Sequence, residues 1–229
     1  MIKGLVFDFD GLIIDTETPE YHAWVETYRQ FGAELTLEEW SQCIGSAPPI
    51  FDVVATLKQK SSRVFDGEAL KDKVKQSVHQ QILNQPVLSG VIERLMEAQE
   101  MGIPAMVASS SPHAWVDSHL ERLDLRRYFS GVVCRDDVNR AKPYPDLYLL
   151  AADRMGILPE QALAFEDSPN GIQAAIAAGI FCFAVPNPVT SFLDVSQASW
   201  QLSSLTDLTL KQMIALQQRL RDANEAKPF

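Results

Sequence analysis

The chain has 229 residues, 46% hydrophobic and 22% charged, enough to bury a full core as one large domain or as a domain with an insert. Its formal net charge of −10 repels nucleic acid and anionic membrane surfaces, and an anionic substrate would need a cation in the site to offset that field. Three scattered cysteines, Cys43, Cys134 and Cys182, argue against a disulfide framework or a zinc site and read as small buried thiols. With no run of about 18 apolar residues to span a bilayer and no signal-peptide pattern, the expected location is a reducing cytoplasm.

Ile2 to Phe7 reads as a strand buried on both faces, ending at Asp8 and followed by an Asp10-Gly11 turn. From about Thr18 to Asn84 the apolar residues recur at helical spacing: Trp24, Val25, Tyr28 and Phe31, then Val53, Val54 and Leu57, then Leu70, Val74 and Val78. Gln85-Pro86 ends this helical insert. Beyond Leu88 helix and strand signals alternate: helix over Val91–Met101, strand over Ile103–Ala108, helix over Pro112–Leu123, strand over Gly131–Cys134. The series continues with helix over Pro145–Met155, strand over Ala162–Phe165, helix over Pro169–Ala178 and strand over Phe181–Val185. A helix over Leu205–Leu220 closes it, and Asn224–Phe229 reads as a loose tail. Such alternation predicts an α/β fold, a doubly wound parallel sheet, with residues 1–15 and 86–229 as the core domain and 16–85 as an inserted helical-bundle cap.

In an open parallel sheet, ligands bind beyond the carboxyl ends of the strands. The polar residues there are Asp8 and Asp10, Ser109 to Ser111, and Glu166 and Asp167, with Lys142 in a loop that opens a helix. Carboxylates, hydroxyls and one ammonium suit a hard cation together with a phosphate, and Mg²⁺ takes oxygen ligands of this kind. Asp10 lies two residues after Asp8, so both side chains start on the same side of the chain.

These residues fall in four motifs that resemble those of the haloacid dehalogenase superfamily. They are Asp8-Phe9-Asp10-Gly11, Ser109 after Met106-Val107-Ala108, Lys142 in Ala141-Lys142-Pro143, and Phe165-Glu166-Asp167-Ser168-Pro169-Asn170-Gly171. The insert resembles the cap of the β-phosphoglucomutase-like branch. The resemblance implies a Rossmann-like core and a Mg²⁺-dependent phosphatase acting through an aspartyl-phosphate. It casts Asp8 as nucleophile and Asp10 as general acid and base. It casts Lys142 as the bridge between Asp8 and the phosphoryl oxygens, and Ser109 with the amides of Ser110 and Phe9 as the phosphate holders. Asp8, Asp10 and Asp167 become metal ligands, with Glu166 a second ligand or an outer partner.

His22, at the entry to the cap, and His113, after the phosphate loop, are candidate substrate contacts; His79 and His119 read as exposed on helix faces. A phosphohexomutase would need further cations to hold a second phosphate. The cap turn Ile44-Gly45-Ser46-Ala47-Pro48-Pro49 lacks the Arg that β-phosphoglucomutases carry, and Ser109-Ser110-Ser111-Pro112-His113 lacks their Lys and Asn. Arg63 or Lys58 is left as a possible substitute. Hydrolysis of a small phosphorylated metabolite, a sugar phosphate or nucleoside monophosphate, is therefore the expected activity. Metal-free dehalogenation ranks lower, because Asp10 and the Glu166-Asp167 pair would have no use; a non-catalytic phosphometabolite-binding module ranks lower because every motif residue is present. The expectation is a monomer with no nucleic-acid or membrane partner, whose cap hinges near Thr16 and Gln85.

Overall fold

The computed structural model describes residues 1–42, 44 and 51–225. Six parallel strands run β1 (Gly4–Phe7), β2 (Ala105–Ser109), β3 (Gly131–Cys134), β4 (Ala162–Glu166), β5 (Phe181–Ala184) and β6 (Trp200–Gln201), in the spatial order β3-β2-β1-β4-β5-β6. β1 is central, with Phe7 paired in register to Val107 on one side and Phe165 on the other.

Every residue of β1, β2 and β4 is buried, which is why those segments read as unbroken apolar runs. The strand period of two still sorts them onto two cores. Leu5, Phe7, Phe165 and Phe183 face one side, with α5 (Val91–Glu100), α6 (His113–Arg122) and α9 (Leu210–Glu225). Val6, Met106, Ala164 and Cys182 face the other, under α7 (Asp146–Arg154) and α8 (Pro169–Ala177). Helices on both faces make the sheet doubly wound. Phe7 meets Phe165 at 4.7 Å and Phe129 at 6.0 Å, contacts worth about 1 kcal/mol each beyond area burial.

Between β1 and β2 the chain forms α1 (Glu17–Gln30), α2 (Leu37–Ser41), α3 (Val53–Lys60) and α4 (Gly67–Ile82). Their starts are written in the sequence: Thr36 and Glu39 form a capping box on α2, while Asp52 and Asp66 each accept two backbone N–H groups at the starts of α3 and α4. Tyr28 donates its hydroxyl to the Val53 carbonyl at 2.6 Å, tying α1 to α3. No helix among the described residues is long and apolar enough to cross a membrane.

Some sequence expectations need correcting. β6, two exposed residues at the sheet edge, carries no apolar run and was missed. The closing helix starts at Leu210 rather than Leu205, because Asp207 accepts from the Ser203 and Ser204 amides in a turn and Thr209 with Gln212 then caps the helix. α9 continues through Glu225, so Asn224 and Glu225 are helical rather than tail. Residues 226–229, Cys43 and most of the Ile44–Pro49 cap turn lie outside the described residues. Cys134 and Cys182 are buried free thiols, as expected.

Candidate active site

The carboxyl ends of β1, β2 and β4 open on a cavity of about 1550 Å³. Its floor is Asp8, Asp10, Ser109 to Ser111, Lys142 and Asp167; its roof comes from α1, α3 and α4, including Glu17, Trp24 and His79.

Asp8 directly follows β1 and is buried; its Oδ1 accepts from its neighbour's amide, Phe9 N, at 2.7 Å and pairs with Lys142 Nζ at 2.6 Å. The same Nζ lies 2.6 Å from Glu166 Oε1, so one buried ammonium bridges two carboxylates. Tyr148 donates its hydroxyl to Glu166 Oε1 from α7. Asp167 Oδ2 accepts from Asn187 Nδ2 at 2.8 Å. Oxygens of Asp8, Glu166 and Asp167 lie within 4.8 Å of one another.

Two glycines make room for this cluster. A Cβ at Gly171 would stand 1.9 Å from Glu166 Oε2. At Gly11, where φ is +79°, a Cβ would stand 2.2 Å from Asp167 Oδ2. Both acids of motif four thus pack directly on backbone that only glycine leaves open, Asp167 on Gly11 of motif one and Glu166 on Gly171 of its own motif.

Three carboxylates against one ammonium is an excess of buried negative charge. Burial, reinforced by the charge on Glu166 and opposed by Lys142, pushes the Asp8 carboxyl up to about 7. Burial and the charges on Asp8 and Glu166 push Asp167 well above the carboxylate range. Lys142 is desolvated, yet Asp8 and Glu166 hold it firmly charged. Hard oxygen donors, clustered and short of positive charge, fit a hard divalent cation.

Residues 5–185 match the family model described as haloacid dehalogenase-like hydrolase. The chain belongs to this family. Among curated proteins it is 38% identical over 210 residues to "Putative phosphatase YhcW" of Bacillus subtilis, covering 92% of this chain and 95% of that one. It is 33% identical over 177 residues to "Fructose-1-phosphate phosphatase YqaB" of Escherichia coli, covering 77% and 93% respectively. Among solved structures it resembles a putative β-phosphoglucomutase from Thermotoga maritima, with TM-score 0.72, 27% identity and coverage of 88% of this chain and 94% of that one.

For a member of the haloacid dehalogenase-like hydrolases, the residues picked from the motifs mostly converge. Asp8, Asp10, Ser109, Ser110, Lys142 and Asp167 all line the cavity. Glu166 sits beneath it, fully buried between Tyr148, Lys142 and Gly171. The Phe9 amide, expected to face a phosphate, bonds Asp8 Oδ1 instead.

Three of the histidines differ from expectation. His22 is exposed beside the Tyr21 ring and off the cavity wall. His113 is also off the wall, with Nδ1 3.0 Å from Asp117 and Nε2 2.7 Å from Asp137. His119, read as exposed, is buried against Trp115 and Phe9, because its helix face turns inward on the β1–α1 connection. His79 is exposed as expected, though it also lines the cavity. Arg63 donates to the Gln30 carbonyl and Lys58 lies over the Phe65 ring; neither reaches the cavity, whereas Lys71, Lys75 and Arg135 do.

Sequence reasoning missed Asn187, Tyr148, Glu17 and Trp115. Asn187 follows β5 in a Pro-Asn-Pro turn, so the strand-end rule that found the others would have found it too.

Proposed function

We propose that this protein is a Mg²⁺-dependent phosphatase of small phosphorylated metabolites, with residues 16–85 as a cap over a core formed by 1–15 and 86–229. The chain is a phosphoric monoester hydrolase of the haloacid dehalogenase-like kind. The single observation that carries the reading is the Asp8–Lys142–Glu166 bridge beside Asp167 at the floor of the cavity.

Asp8 is the nucleophile. Its carboxylate attacks phosphorus, the bond to the leaving oxygen breaks, and an aspartyl-phosphate forms. Asp10 gives a proton to the leaving oxygen, then takes one from the water that cleaves the acyl-phosphate, steps each worth roughly 10²–10⁴-fold. Lys142 offsets charge on the phosphoryl oxygens, and Ser109 with the Ser110 amide holds them. Asp8, Asp167 and the Asp10 carbonyl would hold Mg²⁺, with Glu166, whose Oε1 already pairs with Lys142 at 2.6 Å, as a further ligand or an outer partner. When bound, the ion neutralises the buried carboxylates and polarises the phosphoryl group.

The roof favours a hydroxyl-rich substrate of the sugar-phosphate type. Trp24, Trp40 and Phe51 offer ring faces, while Glu17, Gln76 and Gln80 offer acceptors and donors. A phosphohexomutase is the second reading, since Lys71 and Lys75 line the cavity. Lys71, however, acts on Glu20, which lines the same wall, so that cation is locally offset. The cytoplasm is the proposed setting, and a monomer the proposed state.

A phosphate-release screen over sugar phosphates and nucleoside monophosphates tests this, run with Mg²⁺ and with chelator. Release that needs Mg²⁺ and favours sugar phosphates is expected. Isomerisation of glucose 1-phosphate with a bisphosphate primer, and little phosphate released, would replace the phosphatase reading by the mutase.

A further inference from the structure

Both carboxylate oxygens of Asp10 are taken by donors from one stretch of chain, the β2–α6 connection and the first turn of α6. Ser111 Oγ donates to Oδ2 at 2.6 Å and Trp115 Nε1 donates to Oδ1 at 2.9 Å, while Ser109 Oγ stands 3.4 Å from Oδ2. A serine hydroxyl rotates and can turn its proton elsewhere; an indole N–H is donor only and points where its ring points.

That ring is held on several sides. It meets His119 edge-on, with centroids 4.3 Å apart and an interplanar angle of 69°. It also meets the His79 ring of α4 at 5.8 Å and packs against the hydrophobic core. His119 is itself buried, and Arg122 Nε stands 3.3 Å from its Nδ1. The Arg122 guanidinium also reaches the Ile82 and Gln85 carbonyls at 3.5 and 3.4 Å, where the helical insert rejoins the core. Trp115 thus lines the cavity from a fixed position, with contacts both to the core and to the last helix of the insert.

We infer that Trp115 is a positioning residue for Asp10: its indole N–H sets the orientation from which that carboxylate reaches the leaving oxygen and, later, the attacking water. The inference rests on the proposed acid–base role of Asp10. Because the one indole N–H goes to Asp10, while Asp8, Glu166 and Asp167 bond elsewhere, its loss should act on turnover and spare cation binding.

The test is a double-mutant cycle of the parent, Trp115→Phe, Asp10→Asn and the double variant, assayed with p-nitrophenyl phosphate and titrated with Mg²⁺. Phenylalanine keeps an aromatic ring against His119 and removes the donor; melting curves check that the fold is intact. Loss of a hydrogen bond to a carboxylate should lower kcat roughly 10- to 30-fold, with KM and the Mg²⁺ midpoint within about twofold of the parent. In the Asp10→Asn background the same change should cost less than about twofold. An equal loss in both backgrounds, an unchanged kcat in Trp115→Phe, or a shift confined to KM or to the Mg²⁺ midpoint would overturn the inference. An Asp10→Asn variant as active as the parent would instead remove the acid–base role itself, and Trp115's with it.

Discussion

Without a divalent cation, this protein should lose stability as the pH rises from about 4 to about 7, and Mg²⁺ should abolish the loss. The Asp8 carboxyl moves from its ordinary 3.8 to about 7 in the fold, chiefly through burial and then through the charge on Glu166. Between those values the folded chain keeps a proton that the unfolded chain releases, so stability falls with rising pH. Below about 4 both states are protonated and there is no penalty; above about 7 both are ionised and the penalty is complete. The interval from 3.8 to about 7 corresponds to roughly 4 kcal/mol. Asp167 and Asp10, also raised by burial, push in the same direction. Lys142 adds no slope here, because it is charged in both states throughout this range. For a chain of this length, 4 kcal/mol corresponds to roughly 8–16 °C of melting temperature. Melting curves at a series of pH values, with chelator and with Mg²⁺, read this directly. A chelated protein whose melting temperature stays level or rises across the window would refute the account of a buried excess of negative charge. So would Mg²⁺ that gives no protection at about pH 8.

Two substitutions probe how the cluster is held. Gly171→Ala forces a methyl group into the space of the Glu166 carboxylate, since its Cβ would lie 1.9 Å from Oε2. It should lower the melting temperature by an amount equivalent to about 1–3 kcal/mol and cut kcat, whereas alanine at Gly102, where a Cβ meets nothing within 4 Å, should leave kcat intact. Asn187→Ala removes the donor that holds Asp167 Oδ2 at 2.8 Å. Mg²⁺ activation curves should shift to roughly 10- to 100-fold higher concentration, with the phosphate-holding serines untouched.

The parts of the fold that the sequence made plain are those where one physical signal acts alone. β1, β2 and β4 are buried on both faces, so their apolar runs are uninterrupted. The helical spacing of Trp24 and Tyr28, of Val53 and Leu57, and of Val74 and Val78 marked α1, α3 and α4, whereas the five-residue α2 fell between these groups and was not read. β6 was not legible because two exposed residues at an edge carry no pattern. At the site, the residues that end strands were found because the topology of a parallel sheet brings strand ends together. Those that arrive from helix faces were not: Tyr148 and Trp115 look like ordinary core aromatics until the fold aims a hydroxyl at Glu166 and an indole at Asp10. The same limit governed the histidines. Which side of α6 turns inward depends on packing against Phe9, and that put His119 in the core and His113 in an ion pair away from the cavity.

The central claim is that Asp8 bonds transiently to phosphorus. Rapid acid quench during turnover, followed by mass spectrometry of the peptide containing Asp8, tests it most directly. A phosphoryl group should be found on Asp8 in the parent enzyme, and Asp8→Asn should show neither that adduct nor phosphate release. Steady turnover with no adduct on that peptide, together with an Asp8→Asn variant that hydrolyses phosphoesters as fast as the parent, would contradict it.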